Sequence, residues 1–368
     1  MPDFSDLLTA FTMPQTSIKQ NHSTSSRINA TASSSSNEVK FSTVFTDCIT
    51  ERSSFILDLS YLLYYGHFRG NGQPWVDTRW VEDIVLKLLN NGHEVYIAVD
   101  GKPVRKQMSS SYKSNRKHTY NIRENMPPLL FNLKMCKRVH IHYNPALEAD
   151  DVIFTLNALL PGKKVIVSSD NDMLQCLGSD TIIDTGKTVL DAVNYLDLLK
   201  DKFHGVPVQR LPMYRSIVGD SSDNIKPPVA RFPHALAARI AKELEYDPMS
   251  VKFPSKEAIL KSVWKMPLSS TDEKWIRALT DDTVPKKKVV SEEDLSLIPE
   301  ELRTSPESTT SPFNRWSLSY ELMRLHAYTL DEISYEPENR YEDLPSEIVN
   351  TFGKIFRADS MYTPLHCR

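Results

Sequence analysis

The first 50 residues show helical patterning of apolar and polar positions only in short pieces around Phe4 to Phe11; they are rich in Ser, Thr and Asn, with TASSSSNE the clearest stretch. Such a segment has too little apolar surface to offset the entropy of ordering, so residues 1–50 are expected to form a disordered tail. The pattern changes at SSFILDLSYLLYYG, where a short apolar run ends at Asp58 and a helical stretch follows. HEVYIAVDGK repeats the theme with an apolar run ending at Asp100. RVHIHY, GKKVIVSSDND and DTIIDT are further strand candidates, and the second of these closes on Ser168, Ser169 and Asp170. Helical patterns lie between them, notably over 78–90 and 150–160. Short β-rich runs alternating with helices predict an α/β fold with a mostly parallel central sheet flanked by helices. Ligands of such sheets gather at the carboxyl ends of the strands, which is where Asp58, Asp100 and Asp170 fall.

From about Leu196 the pattern is helical. FPHALAARIAKEL places Leu236, Ile240 and Leu244 on one face of an amphipathic helix. Residues 281–312 are charged and rich in Ser and Pro, as expected of a linker or long loop. NRWSLSYELMRLHAYTL reads as one more helix, and the remainder of 313–368 carries no recognisable motif. The expected plan is a tail over 1–50, an α/β domain over 51–205, a helical region over 206–280, a linker over 281–312 and a C-terminal helical region over 313–368.

Composition adds limits. The formal net charge is -3 and the pI about 6.4, so there is no global basic field, although a local basic patch can coexist with an acidic site. The four cysteines, Cys48, Cys136, Cys176 and Cys367, form no C-x-x-C pair, which suggests reduced thiols and a cytoplasmic location. No run of about 18 apolar residues predicts a membrane span. The N-terminus, with Asp3 and Asp6, has no apolar stretch of the kind that opens a secretory signal.

Acids concentrate at the predicted strand ends and helix starts: Asp58, Asp100, Glu148, Asp150, Asp151, Asp170, Asp172, Asp220 and Asp223. Each cluster alone has a plain structural explanation, because acids favour first helical turns and Asp-Asn-Asp makes good turns. The combination says more. Carboxylates gathered by one sheet would repel one another and raise several pKa values, and divalent cations remove that conflict. Oxygen-only ligation without His or Cys suits Mg²⁺, with Mn²⁺ as a substitute, and the number of acids exceeds what one ion needs. Two-metal carboxylate sites serve phosphodiester hydrolysis. RKQMSSSYKSNRKH adds Arg105, Lys106, Lys113, Arg116, Lys117 and His118 around Tyr112, a pattern suited to phosphate contact and base stacking or to a solvated loop face.

Together these residues resemble the 5′-nuclease family, which includes the N-terminal domain of bacterial DNA polymerase I and phage flap endonucleases. The resemblance runs from Ser54 to Leu244 through ILDLSYLLYYGHF, VYIAVDGK, SYKSNRKH, EADDVI, SSDNDMLQCL and GDSSDNI, in order. It implies a PIN-like catalytic domain over 51–205 and a helix-turn-helix-type DNA-binding region over 206–280. It implies that Asp58, Asp100, Glu148 and Asp150 surround one metal ion, with Asp151 close by, and that Asp170, Asp172, Asp220 and Asp223 surround a second. Lys113 and Arg116 would meet the scissile phosphate, with Arg105, Tyr112 and Lys117 as further nucleic-acid contacts, Tyr112 either stacking on a base or packing.

One stretch departs from that family. Where relatives follow GDSSDN with a glycine-rich turn that binds a monovalent cation and a duplex phosphate, this chain reads IKPPVARFPHA. Pro227, Pro228 and Pro233 lack backbone N–H groups. The K⁺ site is therefore expected to be weakened or absent, and duplex contact to pass to Lys226 and Arg231, with Arg239 and Lys242 as further candidates. The expected activity is that of a 5′→3′ exonuclease and flap endonuclease of phage or viral replication. Its partners would be DNA with 5′ ends, flaps or nicks, RNA–DNA hybrids and replication proteins, in the host cytoplasm if the source is a phage, with no membrane. A nucleic-acid-binding protein of the same fold with little turnover is the alternative, and a toxin-like ribonuclease fits less well.

Overall fold

The computed structural model describes residues 49, 51–69, 74–102, 104–116, 129–130, 133–134, 136–248, 252–283 and 311–334. The expected tail over 1–50 and linker over 281–312 therefore lie almost wholly outside the described residues, as do 335–368, Cys48, Cys367, Lys117 and His118.

All five predicted strands form. They are β1 (Ser54–Asp58), β2 (Glu94–Val99), β3 (Val139–Tyr143), β4 (Lys164–Val167) and β5 (Thr181–Asp184). A sixth strand of two residues, β6 (Val189–Leu190), has too short an apolar run to be read from sequence. The six-stranded sheet has the order β3-β2-β1-β4-β5-β6; all pairings are parallel except β5 with β6. The central strands β1, β2 and β4 are short and almost continuously apolar, as expected where both faces are covered, whereas β3, VHIHY, alternates at the edge of the sheet.

Helix α1 (Leu59–Arg69) leaves β1 without a break, and α2 (Pro74–Asn90) packs beside it. Helix α3 (Ala149–Leu159) presents Val152, Ile153 and Leu156 to Ile56, Ala98, Ile166 and Ile183 of the sheet, all of them buried. Beyond the sheet come α4 (Tyr195–Phe203), α5 (Leu211–Val218), α6 (His234–Glu243), α7 (Lys256–Val263), α8 (Ser270–Leu279) and α9 (Pro312–Met323). Leu236, Ile240 and Leu244 are buried together, as the helical spacing predicts. Among the described residues no helix is long and apolar enough to cross a membrane. Cys136 and Cys176 are free thiols and buried.

The C-terminal helix is shorter than its pattern suggests. It ends at Met323, and Arg324 is extended at φ -79° and ψ 132°. Tertiary partners account for this end. The Arg324 carbonyl accepts from Arg105 Nη2 at 2.8 Å, and the Leu325 amide donates to Gln175 Oε1 at 3.2 Å. The chain then runs on as a strap: Tyr328 N–H meets Thr155 Oγ1 at 3.1 Å, and Ser334 forms a bridge to His142 on β3. The core of α9 is Trp316, fully buried, whose Nε1 donates to Ser216 Oγ of α5 at 3.0 Å. Residues 311–334 are thus part of the body that carries the site.

Candidate metal centre

Strand order places the acids. β1 leads outward through β2 to β3, and β4 begins the opposite half of the sheet, so the crevice between the carboxyl ends of β1 and β4 is a topological switch point. Asp58 is the last residue of β1, and register sets it beside Ala98, two residues before Asp100. Leu57 pairs with Val167, so Ser168 follows at the level of Asp58, and Ser168 Oγ donates to Asp58 Oδ2 at 2.9 Å. The Asp58 Oδ1 atom accepts the Tyr61 amide at 3.0 Å in the first turn of α1. Asp100 Oδ1 accepts the Ala149 amide at 2.8 Å, which ties the end of β2 to the start of α3. Gly101 makes that junction possible: a Cβ there would lie 2.2 Å from the Asn144 carbonyl oxygen.

Asp150 projects from the first turn of α3, while Asp170 caps the 3-10 helix Asn171–Cys176 by accepting the Asp172 amide at 2.9 Å. Oxygens of Asp150, Asp170 and Asp172 lie within 4.8 Å of one another. Burial and the nearby Asp170 push the Asp150 carboxyl well above the usual range. Burial and Asp100 push Asp58 up to about 7. This is the uncompensated negative charge that a divalent cation relieves, and the donors are all carboxylate oxygens, so the residues fit a hard cation.

Other acids, and Asp172 of the trio itself, already meet cations. Glu148, buried, accepts Arg105 Nη1 and Tyr112 OH at 2.8 Å each and pairs with Lys113 Nζ. Burial alone would raise its pKa, but Lys113 and Arg105 outweigh burial and hold it below the ordinary value. Asp223 accepts Arg116 Nη2 at 2.6 Å and lies 3.8 Å from Lys113 Nζ. Burial outweighs both cations there and keeps the Asp223 carboxyl raised. Asp172 and Asp220 are bridged by one side chain, Arg215 of α5. Burial raises Asp220, yet Arg215 and the Ser222 hydrogen bonds bring it below the ordinary range.

The turn that carries Asp220 and Asp223 is closed by two backbone hydrogen bonds of 2.7 Å between Asp220 and Ile225. Gly219 precedes it at φ +83°, where a Cβ would lie 2.8 Å from both the Ile225 carbonyl and the Pro227 ring. The turn docks on the basic loop: Asn224 Nδ2 donates to the Ser111 carbonyl and to Ser114 Oγ at 2.9 Å each. Asn115 Nδ2 returns a bond to the Ser221 carbonyl at 3.1 Å.

Eight of the nine predicted acids therefore share one electrostatic neighbourhood, and Asp151 does not join it. Both its oxygens are engaged on the other side of α3, by Arg105 at 2.6 and 2.8 Å and by the His326 amide at 3.0 Å. Arg105, expected to contact nucleic acid, is buried in this ion pair and is not placed to meet a phosphate. Tyr112, expected either to stack on a base or to pack, packs: it is buried against Ile225, Leu322 and Met323 with its hydroxyl on Glu148. Lys226 and Arg231 are exposed. Arg239 is partly occupied by Asp272 at 3.3 Å, and Lys242 by the His204 carbonyl at 3.2 Å. Arg215 escaped the sequence reading. Its signal was present: a single cation inside the otherwise apolar turn LPMYRSIV, directly ahead of GDSSDN, needs a carboxylate partner.

Residues 54–201 match the family described as 5′-3′ exonuclease, N-terminal resolvase-like domain. Over that span the chain is similar to the 5′-nuclease family. A DNA polymerase I of Caldicellulosiruptor bescii is 29% identical over 154 residues, which is 39% of this chain and 18% of the polymerase. The chain thus spans less than a fifth of that relative. Among solved structures, T5 5′-exonuclease with bound zinc gives a TM-score of 0.44 at 18% identity, covering 62% of this chain and 85% of the exonuclease. The catalytic core of Rad2 in complex with DNA substrate gives 0.40 at 12% identity, covering 87% of this chain and 93% of that one.

Proposed function

We propose that this protein is a Mg²⁺-dependent 5′→3′ exonuclease and flap endonuclease acting on DNA 5′ ends, flaps and nicks. The observation that carries the reading is the convergence of Asp150, Asp170 and Asp172 at the sheet's switch point, with Lys113 and Arg116 held beside them. Two divalent cations bound among these acids would supply Lewis acidity and an activated water for phosphodiester hydrolysis. Asp58, Asp100, Glu148 and Asp150 form one half of the carboxylate set and Asp170, Asp172, Asp220 and Asp223 the other. Lys113 and Arg116 orient the scissile phosphate and offset the charge that develops on its oxygens. Mn²⁺ would substitute for Mg²⁺.

Residues 206–280 serve in this reading as the duplex-binding region. Its prolines cannot donate amides, so duplex contact rests on Lys226 and Arg231 and does not need K⁺. RNA–DNA hybrids as substrates and a place in phage or viral DNA replication, beside other replication proteins, complete the proposal.

The test is cleavage of a labelled 5′-flap substrate by the parent, Asp150→Asn and Asp172→Asn in Mg²⁺, with and without K⁺. Activity retained in either variant would sink the metal assignment. A second reading, a nucleic-acid-binding protein with little turnover, draws on the ion pairs that Lys113 and Arg215 make with Glu148, Asp172 and Asp220. Flap binding without cleavage by the parent in both Mg²⁺ and Mn²⁺ would favour it.

A further inference from the structure

Asp150 and Asp151 are neighbours in the sequence and do different work. At 3.6 residues per turn, consecutive helical side chains point about 100° apart. Asp150 therefore joins the acidic trio, while Asp151 turns behind α3 to a cleft lined by Val104, Met108, Glu321, His326 and Tyr328. There it meets the fork of Arg105. Nη1 of Arg105 is shared between Asp151 Oδ2 at 2.6 Å and Glu148 Oε2 at 2.8 Å. Nη2 is shared between Asp151 Oδ1 and the Arg324 carbonyl, each at 2.8 Å. All three charged residues are buried, with Asp151 only 3% exposed.

We infer that Asp151 is not a metal ligand but a positioning residue, acting through Arg105 to fix the Glu148 carboxylate and to leave its charge available to a cation. The inference rests on the metal-centre reading above. Its physical basis is charge pairing in a rigid geometry. Arg105 and Asp151 neutralise each other through two nearly parallel hydrogen bonds, a fit that the planar guanidinium favours. The same guanidinium then reaches Glu148 with one N–H only, beside the Tyr112 hydroxyl. Without the Asp151 charge, the buried Arg105 has Glu148 as its sole remaining carboxylate partner among the contacts described. The guanidinium would shift onto Glu148 and compete there with a divalent cation. The strap completes the arrangement, because Arg324 and His326 hold the far side of the pair from the backbone.

The test is a Mn²⁺ titration of the full chain without substrate, by calorimetry, on the parent, Asp151→Asn and the double variant Arg105→Gln/Asp151→Asn. Asp151→Asn should bind the same number of ions about 10–100-fold more weakly, the range typical of losing a partner behind a metal ligand. Its kcat at saturating metal should stay near the parent while the apparent KM for metal rises. The double variant, freed of the competing cation, should bind more tightly than Asp151→Asn. Loss of one bound ion in Asp151→Asn, or a double variant no tighter than the single, would overturn the inference and leave the metal-centre reading standing. A parent that binds no Mn²⁺ and cleaves no flap would overturn both. Folding is checked by far-UV circular dichroism. If Asp151→Asn does not fold, Arg105→Lys replaces it: a lysine keeps the charge but lacks the fork, and unchanged Mn²⁺ affinity in that variant would equally overturn the inference.

Discussion

The backbone amide of Lys113 donates to the carbonyl of Asp223 at 2.8 Å, so the loop that carries the basic residues and the turn that carries the last two acids are built as one unit. Both sides of this junction use left-handed backbone, Lys113 at φ 53° and Asn224 at φ 56°. Asn224→Ala loses two side-chain hydrogen bonds and puts a Cβ-bearing residue without local compensation in that region. The expected cost is about 2–4 kcal/mol. Asn224→Gly keeps the conformation without strain and should cost about 1–2 kcal/mol less. Urea unfolding of the two variants separates strain from hydrogen bonding, and flap cleavage should fall in both because Lys113 and Arg116 lose their anchor.

The raised carboxyl of Asp58 makes the metal-free protein pH-sensitive. Its folded pKa is about 7 against 3.8 for the free group, from burial and from Asp100. Between those values the unfolded chain holds fewer protons than the folded one, so this contribution to stability is full in acid and is lost as pH rises toward about 7. The whole span is worth on the order of 4 kcal/mol. In EDTA, Asp58→Asn should therefore melt above the parent at pH 8, with the gap closing by about pH 4. Mg²⁺ should raise the parent's Tm at pH 8 more than the variant's. A parent Tm that climbs from pH 4 to 8 at the same pace as the variant's would contradict the assignment.

Gly219 has no tolerated replacement. Its φ of +83° and the approach of Ile225 and Pro227 to 2.8 Å of a Cβ combine two penalties. Gly219→Ala should lose about 2 kcal/mol or more and displace Asp220 and Asp223 together. Thermal melting and Mn²⁺ affinity read the two effects.

Trp316 locks the C-terminal helix to α5. Trp316→Ala removes a fully buried indole that packs with its ring 5.3 Å from that of Phe253. The expected loss is about 3–5 kcal/mol in urea unfolding. A surface role for residues 311–334 would predict almost none.

Lys226→Glu and Arg231→Glu should weaken duplex binding at all sequences alike. Each should flatten the dependence of log K on log salt by about one. Binding titrations on a nicked duplex between 50 and 200 mM NaCl would check this, and replacing Na⁺ by K⁺ should leave the slopes unchanged.

The strands were legible because each is a short apolar run closed by an acid or a serine. That same regularity puts Asp58, Asp100 and Asp170 at the carboxyl ends of the strands, where the structure has them. What sequence spacing could not resolve is direction. EADD shows a block of acids, but helical geometry sends Asp150 and Asp151 to different neighbours. RKQMSSSYKSNR shows a charged loop, yet Arg105 and Tyr112 are drawn inside it by Asp151, Glu148 and the Ile225 cluster. The end of α9 was hidden for the same reason: the residues that stop it, Gln175 and Arg105, are distant in the chain.

The strap has a consequence for the order of assembly. Its hydrogen bonds reach back 150 residues to Gln175, 175 to Asp151 and 219 to Arg105. During synthesis, the sheet and its acidic edge emerge long before residue 324. A nascent chain can therefore fold its strands while the guanidinium of Arg105 still lacks its final backbone acceptor. Contacts of such long range are closed late and slowly. The final setting of Arg105 beside Glu148 and Asp151 is then a late act of folding, after residue 324 has emerged and docked.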